Sequence, residues 1–290
     1  MTERAPEEEE EEEKHPMDAS SASATNMDRL TEARLEEIEQ HIKQTQPLTS
    51  ALLPLSTLEA EYATAEPGTT TFVAGLQALS TVQGYSNVRL IRGDGNCYYR
   101  AVLYRLAELV LESPPSFGKR LLATLKDSWD RLLALGYDAD MLETFYDCIM
   151  DLFQRLLDNK LDAAALHAEL NTEHSTSDFG IWYLRVLVSG HLKQDPDRFL
   201  PFTNGLSMDQ FCQSQVEPVG KECEQVQVLA LAEALHLPVH VLYLDGHALV
   251  QGKVVQHSFG PPVVDSSSEN NVSLHVLYRP GHYDILYPSI

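Results

Sequence analysis

The stretch from Asn87 to Leu111 constrains the fold more than any other. Asn87-Val-Arg-Leu-Ile91 reads as a short strand, and Tyr98–Leu111 places Ala101, Val102, Leu106 and Leu109 at helical spacing. Between them, Arg92-Gly-Asp-Gly-Asn96 leads through two glycines into Cys97. The order is strand, glycine-rich turn, cysteine, helix. A thiol is thereby placed at a helix N-terminus, where unpaired backbone N–H groups and the positive end of the dipole favour an anion. A cysteine so placed is expected to ionise more readily than a free one, whose pKa is about 8.5.

Around that unit the chain reads as mostly helical, with few strands. Short helical pieces at 55–63 and 72–79 precede it. Helices at 119–135, closed by Gly136 as a C′ glycine, and at 140–157 and 161–170 follow. Asp178 reads as the N-cap of a helix over 179–192, with further helices at 207–212 and, after the Val216-Glu-Pro218 turn, at 222–236. Val239–Leu244 is a strand, and 245–271, rich in Gly, Pro and Ser, reads as a variable, flexible loop. Two last strands, 272–278 and 282–287, are joined by Arg279-Pro-Gly281.

The N-terminus reads differently. Residues 1–25 include seven successive glutamates, Glu7–Glu13, and a Ser/Ala-rich stretch with almost nothing to bury, a disordered acidic tail by composition. Over 26–46, Asn26 is a candidate N-cap and Pro47 a stop. Met27, Leu30, Leu35, Ile38 and Ile42 fall on one arc of a helix whose other side carries Glu32, Glu36, Glu39 and Lys43. Such a stripe needs a partner, either its own domain or a second protein. A globular domain is expected over 47–290.

Charge and cysteine usage narrow the function. With 21 basic against 43 acidic residues the formal charge is −22, which disfavours nucleic acid and favours a neutral or basic protein partner. The four cysteines form no CxxC pair; reduced thiols in cytoplasm or nucleus fit best. No apolar run approaches the ~18 residues of a membrane span, and no secretion signal is read.

A cysteine nucleophile needs a base and a group that orients it. In His282-Tyr-Asp284 the histidine and aspartate are two apart on a strand and share a face, so Asp284 can hold the imidazole in one tautomer. Alone, such a pair is more often a surface feature, and a free cysteine more often an inert core thiol. Together with Asp94-Gly95-Asn96, whose N–H groups can turn toward an oxyanion, they point to cysteine-dependent acyl transfer on an amide or isopeptide bond. Cys148, Cys212 and Cys223 read as core thiols, Glu217 as an acid at the start of a helix, and His236 and His240 as an improbable metal pair. No metal or cofactor is expected.

Asp94-Gly-Asn-Cys97-Tyr-Tyr-Arg-Ala101 resembles the signature of the ovarian-tumour (OTU) cysteine proteases. Leu277-Tyr-Arg-Pro-Gly-His-Tyr-Asp-Ile-Leu-Tyr287 is similar to the closing motif of their otubain branch. Ser175–Asp178 with Tyr183-Leu-Arg185, Phe211-Cys212 with Val216-Glu-Pro218, and Ala230–Leu235 resemble otubains in the same order, as does Leu35-Glu-Glu-Ile38 through Gln46-Pro-Leu48. The resemblance covers roughly 28–287 and implies an α/β papain-like fold, a small central mixed sheet packed between helical regions. It implies a deubiquitinase with Cys97 as nucleophile, His282 as general base and acid, and Asp284 as orienting acid. Backbone at Asp94, Gly95, Asn96 and Cys97 would form the oxyanion hole. Ubiquitin and polyubiquitin are the implied partners, with preference for the proteasome-targeting linkage. The stripe Leu30, Leu35, Ile38 and Ile42 is a candidate contact for a second ubiquitin or a ubiquitin-conjugating enzyme, and a monomer is expected. Two alternatives stand beside this reading: a non-catalytic regulator that blocks ubiquitin transfer, and a papain-type peptidase with unrelated substrates. Departures from the signature are Tyr98 for phenylalanine, Gly93 where some members have proline, and His174 for a frequent glutamine.

Overall fold

The structure, a computed structural model, describes residues 34, 37, 40–65, 69–262 and 272–289. By internal contacts the chain divides into two units, residues 1–44 and 45–290. In the first, residues 34, 37 and 40–44 are helical and Ile42 is half-buried; Asn26, Leu30, Leu35 and Ile38 lie outside the described residues.

The second unit is built on one six-stranded sheet. Its strands are β1 (Leu53–Pro54), β2 (Tyr85–Arg89), β3 (Val239–Tyr243), β4 (Val255–Phe259), β5 (Leu274–Arg279) and β6 (His282–Pro288), in the order β1-β2-β6-β5-β3-β4. β3 and β5 run parallel and every other neighbouring pair antiparallel, so the sheet is mixed. Both faces are apolar, as a sheet covered on two sides requires. Val88, Leu242, Leu277 and Leu286 pack with Leu55 and Leu58 of α1 (Leu55–Thr64) and Leu76 and Leu79 of α2 (Thr70–Thr81). Val239, Val241, Leu274, Val276 and Ile285 face the larger core.

That core is centred on α3 (Cys97–Glu112), in which every residue from Cys97 to Val110 except Arg105 is buried. A helix apolar nearly all round must be enclosed, and α3 packs against β6 on one side and α5 and α7 on the other. The enclosing layer comprises α4 (Pro115–Ala134), α5 (Ala139–Leu157), α6 (Ala163–Leu170) and α7 (Thr176–Gln194), then the single turns α8 (Pro196–Phe199) and α9 (Met208–Phe211), and α10 (Gln225–Ala234). The expected sandwich of a small mixed sheet between helical regions is what is found.

Several local readings need correction. The 245–271 stretch holds β4, paired with β3 from Val239↔Phe259 to Tyr243↔Val255; its side chains are largely exposed, so no apolar alternation announced it. α7 starts at Thr176 after Ser175; Asp178 lies in its first turn, where its carboxylate accepts the His174 N–H at 2.7 Å. Ser207 caps α9 in a capping box with Gln210, and the chain then widens into a π turn over Cys212–Val216. β6 lies inside the sheet between β2 and β5, so His282 opens an internal strand rather than standing at a sheet edge.

Candidate active site

Cys97 occupies the first position of α3, and the helix has no side-chain cap: Asn96 makes no capping hydrogen bond. Its Oδ1 is used elsewhere, accepting the Gly220 N–H at 2.8 Å and Arg185 Nη2 at 2.9 Å. The helix terminus is left open to an anion. Ahead of it, Asp94 folds the loop on itself by accepting the Asn96 N–H at 3.0 Å and Arg100 Nη1 at 2.7 Å. The carboxylate of Asp94 is thus engaged in shaping the turn, and only its backbone remains for an oxyanion. Gly95 is required twice over. Its φ is +75°, and a Cβ there would lie 2.0 Å from the Gly220 carbonyl oxygen. Among the described residues no acceptor meets the Cys97 N–H, which leaves it free for a developing oxyanion.

The other half of the site comes from the β5–β6 hairpin. Gly281 (φ +73°) closes the turn, and β6 pairs back on β5 in the register Arg279↔His282 and Leu277↔Asp284. His282 Nε2 lies 3.0 Å from Asp284 Oδ1, leaving Nδ1 on the side of Gly93, whose Cβ position is 3.7 Å away. The Cys97 thiol lies beside the imidazole and acts on its charge. Asp284 is fully buried and saturated. Oδ1 also accepts the Ile91 N–H at 2.9 Å, and Oδ2 receives Arg279 Nε at 2.8 Å and Nη2 at 2.6 Å.

These contacts set the charge states. Burial pulls the His282 pKa down, but the hydrogen bond to Asp284, the adjacent Cys97 and the negative charge on both outweigh it and carry it up to about 9. Burial likewise pushes Asp284 up; the His282 hydrogen bond and the Arg279 guanidinium prevail and hold it below the usual carboxylate range. At neutral pH the imidazole is charged.

Two cavities meet these residues. One, of about 1090 Å³, reaches Cys97 and is bordered by Phe202, Glu222, Glu224, Tyr243, Asp245 and Val255 among others. The second, of about 540 Å³, reaches His282 and is bordered by Gln46, Pro47, Tyr62, Phe72 and Arg279. A thiol beside a charged imidazole, with an orienting carboxylate and a free helix N–H, can carry out acyl transfer through a covalent thioester.

Residues 41–288 match the sequence profile of the otubain family, Peptidase C65. The chain belongs to the otubain family. The relatives of this otubain include human ubiquitin thioesterase OTUB1, 33% identical over 271 residues, 93% of this chain and 94% of that protein. The ovarian-tumour-domain deubiquitinating enzyme 1 of Arabidopsis thaliana is 32% identical over 246 residues, 81% of this chain and 79% of that protein. Among solved structures, h/ceOTUB1 in complex with ubiquitin aldehyde and UBC13~Ub matches with a TM-score of 0.81 at 28% identity, over 91% of this chain and 99% of that one. Those named members are ubiquitin-specific cysteine hydrolases, and this otubain is an enzyme of that kind by family.

The remaining sequence readings fare unevenly. Glu217 accepts from Tyr137, Ser189 and Lys193 at 3.0, 2.7 and 3.2 Å, a polar network among the helices. Cys212 is a core thiol pushed up to about 11, burial first. Cys223, ahead of α10, is half-buried against the core and also borders the cavity of Cys97. His240 sits on β3 beside His275 of β5, ring centroids 4.7 Å apart, and bonds Ser258. Tyr98, the departure from phenylalanine, is buried with its ring 5.2 Å from that of Tyr283. Two site residues escaped sequence reasoning. Arg279 was read only as part of a turn, although its strand pairing opposite His282 would have placed it on Asp284. Arg185 carried no chemical signal, being one arginine in an apolar helix.

Proposed function

We propose that this otubain hydrolyses the isopeptide bond at the C-terminus of ubiquitin in polyubiquitin, with Cys97 as nucleophile, His282 as acid and base, and Asp284 as its orienting partner. The observation that carries the reading is the array of Cys97, His282 and Asp284, in which Asp284 holds the imidazole at 3.0 Å and Cys97, beside that imidazole, borders an open cavity. The thiolate attacks the terminal glycine carbonyl, and the oxyanion is met by the Cys97 N–H and the backbone of Asp94 and Gly95. His282 then gives its proton to the departing lysine amine, and the same imidazole afterwards takes a proton from the water that cleaves the thioester.

Ubiquitin suits the larger cavity by charge and shape. It offers an apolar patch ringed by basic residues, and the cavity joins Phe202, Tyr243 and Val255 to Glu222, Glu224 and Asp245. A cavity on each side of the catalytic pair gives room for chain on both sides of a scissile isopeptide bond. Proteasome-targeting chains are the proposed preferred linkage, by likeness to otubains.

The test is hydrolysis of a panel of di-ubiquitins of defined linkage by the full chain and by Cys97→Ala. The wild type is expected to cleave, the proteasome-targeting linkage fastest, and the variant to be inert while still binding ubiquitin. Cleavage by Cys97→Ala, or no cleavage by the wild type, contradicts the reading. A second reading, binding of a ubiquitin-charged conjugating enzyme without cleavage, is favoured by the composition of the OTUB1 complex with UBC13~Ub. It predicts that Cys97→Ala blocks ubiquitin transfer by such an enzyme as well as the wild type does.

A further inference from the structure

Arg185 of α7 heads the largest fully buried side chains of the protein, with no exposed surface. Burying a guanidinium is costly unless its N–H groups are paired and its charge is met. The pairing is nearly complete. Nη2 donates to the Gly95 carbonyl at 2.9 Å, the Asn96 Oδ1 at 2.9 Å and the Lys221 carbonyl at 2.7 Å. Nη1 donates to the Val216 carbonyl at 3.0 Å, the guanidinium lies 4.4 Å from the Tyr99 ring centre, and Nε has no acceptor.

The charge is not met. Every one of those acceptors is neutral, and among the described residues no carboxylate contacts Arg185. Other arginines of the site and core do have one: Arg100 has Asp94, Arg89 has Glu108, Arg155 has Glu169 and Arg279 has Asp284. The ionisable groups around Arg185 are Tyr99, Cys223, Asp94, which is engaged by Arg100, and Cys97. Cys97 in turn faces His282, Cys223 and Tyr283. A guanidinium stays protonated even when burial disfavours it. The protein therefore keeps an uncompensated cation behind the turn that precedes its nucleophile, tied to that turn at two points and to the 216–221 segment at two more.

We propose that Arg185 is a positioning residue of the active site: its fork fixes the Gly95–Asn96 turn against the 216–221 segment, and its unmatched charge stabilises negative charge on Cys97 and on the oxyanion that follows. The inference rests on Cys97 being the nucleophile. The cation is desolvated at all times, and the negative charge that offsets it is present in full only when the thiolate or tetrahedral adduct is. Such preorganisation favours the reacting state over the resting thiol.

The test is iodoacetamide alkylation of Cys97 in the full chain across pH 5–10, located by peptide mass spectrometry, for wild type, Arg185→Gln and Arg185→Lys. Steady-state hydrolysis of a ubiquitin reporter by the same proteins runs beside it. For Arg185→Gln the alkylation midpoint should rise by about one pH unit, with kcat reduced on the order of 10²-fold and KM within about threefold. Arg185→Lys restores the charge but not the fork, so its midpoint should return to that of wild type while kcat recovers only in part. Wild-type midpoint and kcat in a folded Arg185→Gln protein overturn the proposal. So does a variant that loses thermal stability or raises KM alone, because that describes a packing role. If Arg185→Gln does not fold, Arg185→Lys decides: a reduced kcat at an unchanged midpoint supports the proposal and an unchanged kcat overturns it. Alkylation needs no ubiquitin, so a protein that alkylates as expected and ignores ubiquitin refutes the substrate and leaves Arg185 in place.

Discussion

Asp284 shows how much a single buried group can settle. It receives four hydrogen-bond donors, from Ile91, His282 and twice from Arg279, so it cannot turn away from the imidazole. With His282 raised to about 9, the charged pair should persist through neutral pH and the rate should fall as pH rises through about 9. Asp284→Asn removes the carboxylate charge that helps raise His282, so the alkaline limb should move down toward the ordinary histidine pKa of about 6.5. Turnover should drop on the order of 10²–10⁴-fold; a pH–rate profile of kcat/KM for the two proteins checks both, and an unmoved limb would contradict the assignment. The same shift has a stability consequence. A histidine whose folded pKa is raised contributes stability that is full below about 6.5 and lost as pH rises through about 9. At Gly95, substitution by alanine should cost about 1–2 kcal/mol from the left-handed backbone alone. The clash of its Cβ with the Gly220 carbonyl adds to that cost. Chemical denaturation should therefore shift to lower midpoint and activity should be lost with it.

At the scale of elements, what the sequence discloses depends on how a segment buries its side chains. α3, α5 and β3 have apolar residues at regular intervals, and their limits were readable to within a residue or two. His282 and Asp284 were readable as a pair because strand geometry puts alternate residues on one face. β4 was not, since it is held by backbone bonds to β3 and has mostly exposed side chains. The π turn at 212–216 has no composition of its own, and the internal position of β6 depends on pairing across nearly two hundred residues, from Asn87 to Tyr287. The site's supporting arginines escaped for the same reason: Arg185 and Arg279 are defined by what they reach. The N-terminal helix poses a separate question. Removing residues 1–44 should raise the KM for a di-ubiquitin substrate and leave hydrolysis of a mono-ubiquitin reporter nearly unchanged; equal effects on both would mean the stripe is only structural. The cut belongs after residue 44 because the Gln46 carbonyl accepts Arg92 Nε at 2.9 Å and Nη2 at 2.7 Å, next to the catalytic loop.

Residues 45–290 form a sheet with a helix driven between it and a second helical layer. Cys97, the proposed nucleophile, stands at the end of that helix a few residues after β2, and His282 and Asp284, its proposed base and orienting acid, come from β6. Residues nearly two hundred positions apart are thus brought together, Cys97 bordering one cavity and His282 the other. The formal net charge of −22 suits a basic-ringed partner. In the proposed reaction the cavity of Cys97 receives a ubiquitin tail, and this thiol, not Cys148, Cys212 or Cys223, attacks it. Incubation of the full chain with ubiquitin bearing a C-terminal electrophile, followed by intact-mass and peptide mapping, tests it most directly. One ubiquitin per chain, attached at Cys97 and absent in Cys97→Ala, is the predicted result; no adduct, or an adduct at another cysteine, would contradict it.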